Sequence, residues 1–318
     1  MCRSTSASMY AILHRKNCLT NLSGWEKESD PSLLLDYYRE LTNEALAREA
    51  LASPYFWLTE CTKTKDEQDT TGDPFKPFPK RRYIAPLLDA FENEPVLFLE
   101  KSRTMMASWS ASGWAAHRMF NRPATGVVFQ SEDEDRAIHC VNYVKTLWDQ
   151  SIPELKSRWP TYKGKDPWVQ PYNSFRMENG SWCLGIVGNP DKIRSQHPTV
   201  VVLDEAAFII RGEESFNVAQ ATRCHHIIAL SSANPGWFRE RTEFAIPEDW
   251  PDYRNALPKR AYSYSTVENV IKPCPGMLMR RTKQGWGVVR LDYRADETMV
   301  GERIEKEKAR YTSVAWWN

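Results

Sequence analysis

Four short apolar runs constrain this chain more than any other feature. Val96 to Leu99, Gly126 to Phe129, Val200 to Leu203 and His226 to Leu230 are unbroken apolar stretches bounded by polar residues. Each has the length of a strand buried on both faces. Helical patterns separate them: Thr104 to Phe120, then a stretch running to about Gln150 from Ser131-Glu132-Asp133-Glu134, whose Ser-x-x-Glu form is a capping box. Strands and helices in alternation predict an α/β fold with a mostly parallel sheet flanked by helices. Ligands in such folds sit at the carboxyl ends of the strands.

The flanks read differently. Residues 1–30 are a polar, irregular tail. From Pro31, apolar residues recur at helical spacing (Leu34, Tyr37, Tyr38, Leu41, Ala45) after Asp30 as N-cap, and the helix stops near Pro54. Residues 63–80 (KTKDEQDTTGDPFKPFPK) have the composition of an exposed loop. Asn179-Gly180 joins SFRME to SWCLGIVG as a hairpin. After Pro235 the alternation breaks, and WGVVRLDY (286–293) with the charged stretch 298–310 reads as a tail leading onward. The expected organisation is a tail (1–30), a helical segment (31–85), a core (86–250) and a C-terminal extension with hairpin and linker (251–318).

Hydrophobic residues make up 42% of the 318, enough for a sizeable core, and the net charge of +1 advertises no polyanionic partner globally. A nucleic-acid surface must therefore be local. Lys272, Arg280, Arg281, Lys283 and Arg290 form one candidate without acids between them, the alternative being a solvated hairpin. Seven cysteines, scattered and never spaced CxxC, suggest neither a disulfide framework nor a zinc knuckle. Cys224-His225-His226 opens an apolar strand and has no matching ligand pair, so it reads as structural. No apolar run approaches a membrane span.

The chemistry concentrates in VVVLDEAAF (200–208). A buried strand ending in Asp204-Glu205 has the form of a Walker B element, in which the first carboxylate holds Mg²⁺ and the second polarises a water attacking a γ-phosphate. Upstream, EKSRTMMASW (100–109) stands between a strand and a helix. Aligning its Ser108 with the end of G-x-x-x-x-G-K-[ST] puts Lys101 and Met106 at the glycine positions and Ala107 at the lysine position, so the strict pattern fails. The chemical needs are separable: Ser108 supplies a hydroxyl for Mg²⁺, and Lys101 or Arg103 a cation for the phosphates. Only the conformational freedom of glycine is missing. A third element, Ser231-Ser232-Ala233-Asn234, ends the next strand, where small polar residues suit a γ-phosphate sensor.

These three segments together, in this order, resemble the ATPase half of the large terminase subunit of tailed bacteriophages, over roughly residues 54–318. The resemblance implies a RecA/ASCE-like P-loop NTPase with a deviant Walker A (Lys101, Ser102, Arg103, Thr104, Met105, Met106, Ala107, Ser108, Trp109) whose basic residue stands at the front. It implies ATP and Mg²⁺ as cofactors, Ser108 and Asp204 at the metal, Glu205 and Arg103 as catalytic groups, and Ser231 to Asn234 as the coupling motif. It further implies adenine contacts around Tyr55 to Trp57 and Phe78 to Tyr83, and a trans-acting arginine, Arg136 or, by preference, Arg194. The implied partners are double-stranded DNA, a portal, a small terminase subunit and like subunits in a ring, in the cytoplasm of an infected bacterium. The family's nuclease carboxylates have no counterpart after Asn234. Two rivals remain open: a helicase-like P-loop ATPase, and a nucleotide-binding scaffold without turnover.

Overall fold

In the computed structural model, the described residues are 31–66, 72–232, 234–242, 273–282, 284–299, 301 and 303–305, with side chains from 42 onward. The expected tail 1–30, Ala233, Lys272 and Lys283 lie outside them, as does most of 298–310. The chain divides after Ala45 into two units. Helix α1 (Pro31–Ala52) begins in the first, and everything below concerns the second.

Among the described residues ten strands follow: β1 (Lys63–Lys65), β2 (Phe75–Pro77), β3 (Val96–Lys101), β4 (Gly126–Ser131), β5 (Ser174–Arg176), β6 (Trp182–Val187), β7 (Val200–Asp204), β8 (His226–Ser231), β9 (Met277–Arg281) and β10 (Gly287–Leu291). The helices are α2 (Pro54–Glu60), α3 (Ile84–Asn93), α4 (Ala107–Asn121), α5 (Glu134–Asp149), α6 (Pro153–Arg158), α7 (Asp191–Gln196), α8 (Gly212–Ala221) and α9 (Trp237–Thr242).

Eight strands form one sheet in the order β5-β6-β4-β7-β8-β3-β10-β9. From β6 to β10 every pairing is parallel, and an antiparallel strand closes each edge. The expected α/β class and mostly parallel sheet are present. One strand, β8, is inserted between β3, which carries the loop, and β7, which carries the acids.

Alternation along the strands builds two cores. Leu97, Leu99, Val127, Phe129, Val200, Val202, Ile228 and Leu230 face one side, with Trp57, Trp114 and Leu147. Phe98, Val128, Val201, Leu203, Ile227 and Ala229 face the other, with Phe216 and Phe238. Both faces are apolar because helices cover both, which is why the strands read as continuous runs.

Several boundaries differ from the sequence reading. The first helix stops at Ala52, close to the expected Pro54, but a further helix follows at once: Ser53 caps α2, its Oγ accepting from Phe56 N at 3.2 Å. Residues 63–80 are not wholly loop, since β1 and β2 pair antiparallel. The cap of α5 is Asp133, accepting from Arg136 N at 2.8 Å, rather than Ser131, which ends β4. The helix after β3 starts at Ala107, leaving 102–106 as a longer loop.

The largest correction is at the C-terminal side. WGVVRLDY is a member of the main sheet: β10 lies parallel to β3, with Val289 opposite Leu99. The basic hairpin is likewise structural. Arg280 donates to Thr242 O at 2.7 Å from a buried position, Arg281 pairs with the fully buried Glu94 at 2.5 Å, and Arg290 pairs with Glu100 at 2.5 Å. Among the described residues, the three arginines of this patch are thus engaged with groups of the fold itself.

Candidate nucleotide site

The site lies at the carboxyl ends of β3, β7 and β8. Strand β7 delivers Asp204 buried, and the backbone then turns through Glu205 in the left-handed region (φ 51°). That turn sends the two adjacent carboxylates to different partners. Asp204 Oδ1 accepts from Ser108 Oγ at 2.8 Å, and Oδ2 lies 3.5 Å from Cys140 Sγ, the thiol donating. Ser131 Oγ donates to the Asp204 carbonyl at 3.1 Å.

Glu205 Oε1 lies 2.5 Å from Lys101 Nζ, a pair with only 15% and 9% of its side chains exposed. Glu205 Oε2 accepts from Ser232 N at 3.0 Å, Ser232 Oγ at 3.0 Å and Ser231 Oγ at 3.4 Å. Ser231 Oγ also accepts from Ala207 N at 3.2 Å, and Asn234 Nδ2 donates to Ala207 O at 3.0 Å. The third motif therefore grips the acidic turn itself. Ala233 lies outside the described residues.

Burial alone would raise both carboxyls. For Glu205, the Lys101 charge and the donors from Lys101 and Ser232 outweigh it, and its pKa falls below the ordinary value. For Asp204, burial prevails over Lys101, Ser108 and Cys140, and its pKa stands raised. Cys140 is pushed well above the usual thiol value by burial and the neighbouring Asp204, so it remains a donor.

The loop supplies the conformations that glycine would have supplied. Thr104 (φ 62°) and Met106 (φ 49°) both adopt the left-handed region, the second at an expected glycine position. For residues with a Cβ this costs ~1 kcal/mol each. Three anchors hold the strained turn: Ser102 N donates to Leu291 O at 2.9 Å, Tyr83 Oη to Met105 O at 3.0 Å, and Ser110 N to Met106 O at 2.8 Å. Arg103 is exposed on the loop, Ala107 is buried at the helix start, and Trp109 stacks on Tyr143 at 4.0 Å.

Other expected residues sit elsewhere. Trp57, Phe78 and Tyr83 are core, which removes them as an open adenine platform; Tyr83 instead braces the loop. Tyr55 and Phe56 are half-buried beside that core. Arg194 is 62% exposed and pairs with Asp191 at 3.0 Å, and Arg136 pairs with Glu132 and Asp133. His226 is buried against Trp114, and no group of three or more potential metal ligands of the His, Cys, Asp and Glu type occurs among the described residues. Cys140 and Ser131 were missed in the sequence. A thiol inside an ordinary amphipathic helix carries no signal, and Ser131 was masked by its resemblance to a helix cap.

Ser108 and Asp204 form a hard oxygen donor pair of the kind Mg²⁺ takes, brought to hydrogen-bond distance of each other by the start of α4 and the end of β7. No helix among the described residues is long and apolar enough to cross a membrane.

No protein-family model matches the chain, and no curated protein matches it in sequence. Among solved structures, a variant of the large terminase ATPase domain of Thermus phage P74-26 is similar at a TM-score of 0.47 and 14% identity, over 76% of this chain and 91% of that one. The large terminase of a thermophilic bacteriophage, in complex with ADP, is similar at 0.42 and 12%, over 75% of this chain and 52% of that one. The large terminase of bacteriophage HK97 is similar at 0.39 and 11%, over 57% of this chain and 37% of that one. The chain thus spans about half and about a third of those two proteins, and what it resembles in each is the large terminase of a phage.

Proposed function

We propose that this chain is the ATP-hydrolysing motor subunit of a viral DNA-packaging terminase, moving double-stranded DNA into a procapsid. The observation that carries the reading is one constellation at the sheet's carboxyl end: Lys101, Ser108, Asp204, Glu205 and Ser232, drawn together from the ends of three strands and the first turn of α4.

Ser108 and Asp204 would hold Mg²⁺, which when bound supplies charge neutralisation at the β- and γ-phosphates. The loop, with Lys101, Arg103 and backbone from Ser102 to Trp109, binds the phosphates. Glu205, kept ionised by Lys101 and Ser232, orients and polarises the attacking water. Ser231 and Ser232 feel any movement of Glu205 directly, and Asn234 holds the same turn, so hydrolysis is communicated to β8 and the segment after it. Arg194, exposed on α7, suits service in a neighbouring subunit of a ring. Portal and small terminase subunit complete the assembly, in the cytoplasm of the infected host.

ATP turnover with and without duplex DNA tests the reading. The parent hydrolyses ATP and is stimulated by duplex, whereas Glu205→Gln loses at least ~100-fold in turnover while retaining nucleotide affinity. Equal turnover of the two proteins would falsify the catalytic assignment, and a parent that binds ATP without turnover would make the chain a scaffold.

A further inference from the structure

Among the described residues, six large hydrophobic side chains are exposed, and four of them lie between Tyr162 and Tyr172: Tyr162 (39%), Trp168 (49%), Val169 (76%) and Tyr172 (63%). A cluster so placed needs a reason, because single exposed apolar residues are normally scattered. The stretch from Tyr162 to Arg176, which runs into β5, also carries exposed Lys163, Lys165 and Arg176 against one acid, Asp166, whose carboxylate is taken up capping the turn at Trp168 N (2.8 Å). In a chain of net charge +1, this is a local basic and aromatic stripe at the β5 edge of the sheet.

The stripe is held outward by specific bonds. Gln170 grips Arg176 twice, accepting from its N at 2.8 Å and donating to its O at 3.2 Å. Lys145 Nζ donates to Pro171 O at 2.9 Å and stands 5.8 Å from the Trp168 ring centre. Glu178 accepts from Lys163 N at 2.9 Å, and Lys163 Nζ lies 5.2 Å from the Tyr162 ring centre. Tyr172 Oη donates to Glu134 at 3.2 Å, which marks the acidic border of the stripe at the start of α5. Lysine charge over one ring face, with half of Trp168 still in solvent, leaves planar surface beside cations.

We infer that this stripe binds single-stranded nucleic acid, its rings stacking on unpaired bases and Lys163, Lys165 and Arg176 tracking the phosphates. Duplex DNA hides its base faces, so exposed rings among cations fit an unpaired strand better than the duplex of the proposed motor. A lipid surface is less well matched, since Val169 is the one aliphatic side chain among the four. The inference goes beyond the packaging reading and does not rest on hydrolysis.

Fluorescence anisotropy with the full chain, without ATP, tests it on an oligothymidylate of about 16 nucleotides and on a duplex of equal length. Trp168→Ala with Tyr172→Ala should weaken single-strand binding about tenfold or more and leave duplex-independent ATP turnover unchanged. Trp168→Phe should restore most of the loss, and Lys163→Gln with Lys165→Gln should flatten the salt dependence. Unchanged single-strand affinity in the double alanine variant overturns the inference. So does a loss confined to duplex, which would make the stripe a backbone contact, or a change in sedimentation without a change in DNA affinity, which would make it a contact between copies. None of these outcomes bears on ATP turnover by the parent, which tests the motor reading separately.

Discussion

Lys101 and Glu205 stand at the ends of two strands that do not touch, yet their side chains meet at 2.5 Å across the intervening β8. The pair ties the root of the phosphate loop to the acid proposed to act on water. Their effects on turnover should therefore be shared. Lys101→Met should lower turnover at saturating ATP by ~10-fold or more, and combining it with Glu205→Gln should cost little beyond Glu205→Gln alone. Steady-state phosphate release by the two single variants and the double variant measures the coupling. Simple multiplication of the two losses would show that the residues act independently.

Cys140 should matter through Asp204. Cys140→Val removes the donor from Oδ2 at the expense of one added heavy atom in a buried position, so the Mg²⁺ concentration for half-maximal turnover should rise about tenfold, in the range seen for groups that orient metal ligands. Cys140→Ser should restore it. A loss in the valine variant that serine does not rescue, accompanied by a lower melting temperature, would make the thiol a packing residue only.

Acid should destabilise the fold through two histidines. Burial lowers His117 and His226 from the ordinary 6.5 to about 4. Above pH 6.5 both are neutral in the folded and unfolded chain and contribute no pH dependence. As pH falls below 6.5 the unfolded chain takes up protons that the folded chain refuses, so stability falls until about pH 4. At pH 5 the loss should be about 2 kcal/mol per histidine. Urea unfolding at pH 7 and pH 5 reads it, and a His226→Gln variant should show a shallower dependence than the parent.

Arg281→Ala should strip the buried Glu94 carboxylate of its cation and cost ~3 kcal/mol, a stability effect and not a DNA-binding one. Chemical denaturation and DNA anisotropy on the same variant separate the two. Lowered duplex affinity at unchanged stability would return the hairpin to the nucleic-acid surface that its charges suggest.

The sheet was legible because its strands are covered on both faces: Val200 to Leu203 and His226 to Leu230 carry almost no polar residue to confuse the pattern. The acidic strand end and the loop were legible through residue type at fixed order. What escaped were matters of pairing and backbone. Nothing in WGVVRLDY shows that it lies beside Val96 to Lys101, because partners in a parallel sheet are set by tertiary context rather than spacing. Nothing in the letters of Thr104 and Met106 shows a left-handed turn, since local rules reserve that for glycine and the anchors that enforce it come from Tyr83 and Leu291. Trp57, Phe78 and Tyr83 are packed in the core, which the letters could not show because a buried aromatic and a ligand platform have the same composition.

The bond from Ser102 N to Leu291 O fixes when the loop becomes a loop. β3 is flanked by β8 and β10, both translated long after it, so a nascent chain carries the 102–106 segment with neither neighbour in place. Until residue 291 has emerged, one margin of that strand is open backbone. The anchor of the 102–106 turn is therefore completed only after β10 has been made, and a ribosome-bound chain ending before β10 should expose an open strand edge where the finished protein presents its anchored turn.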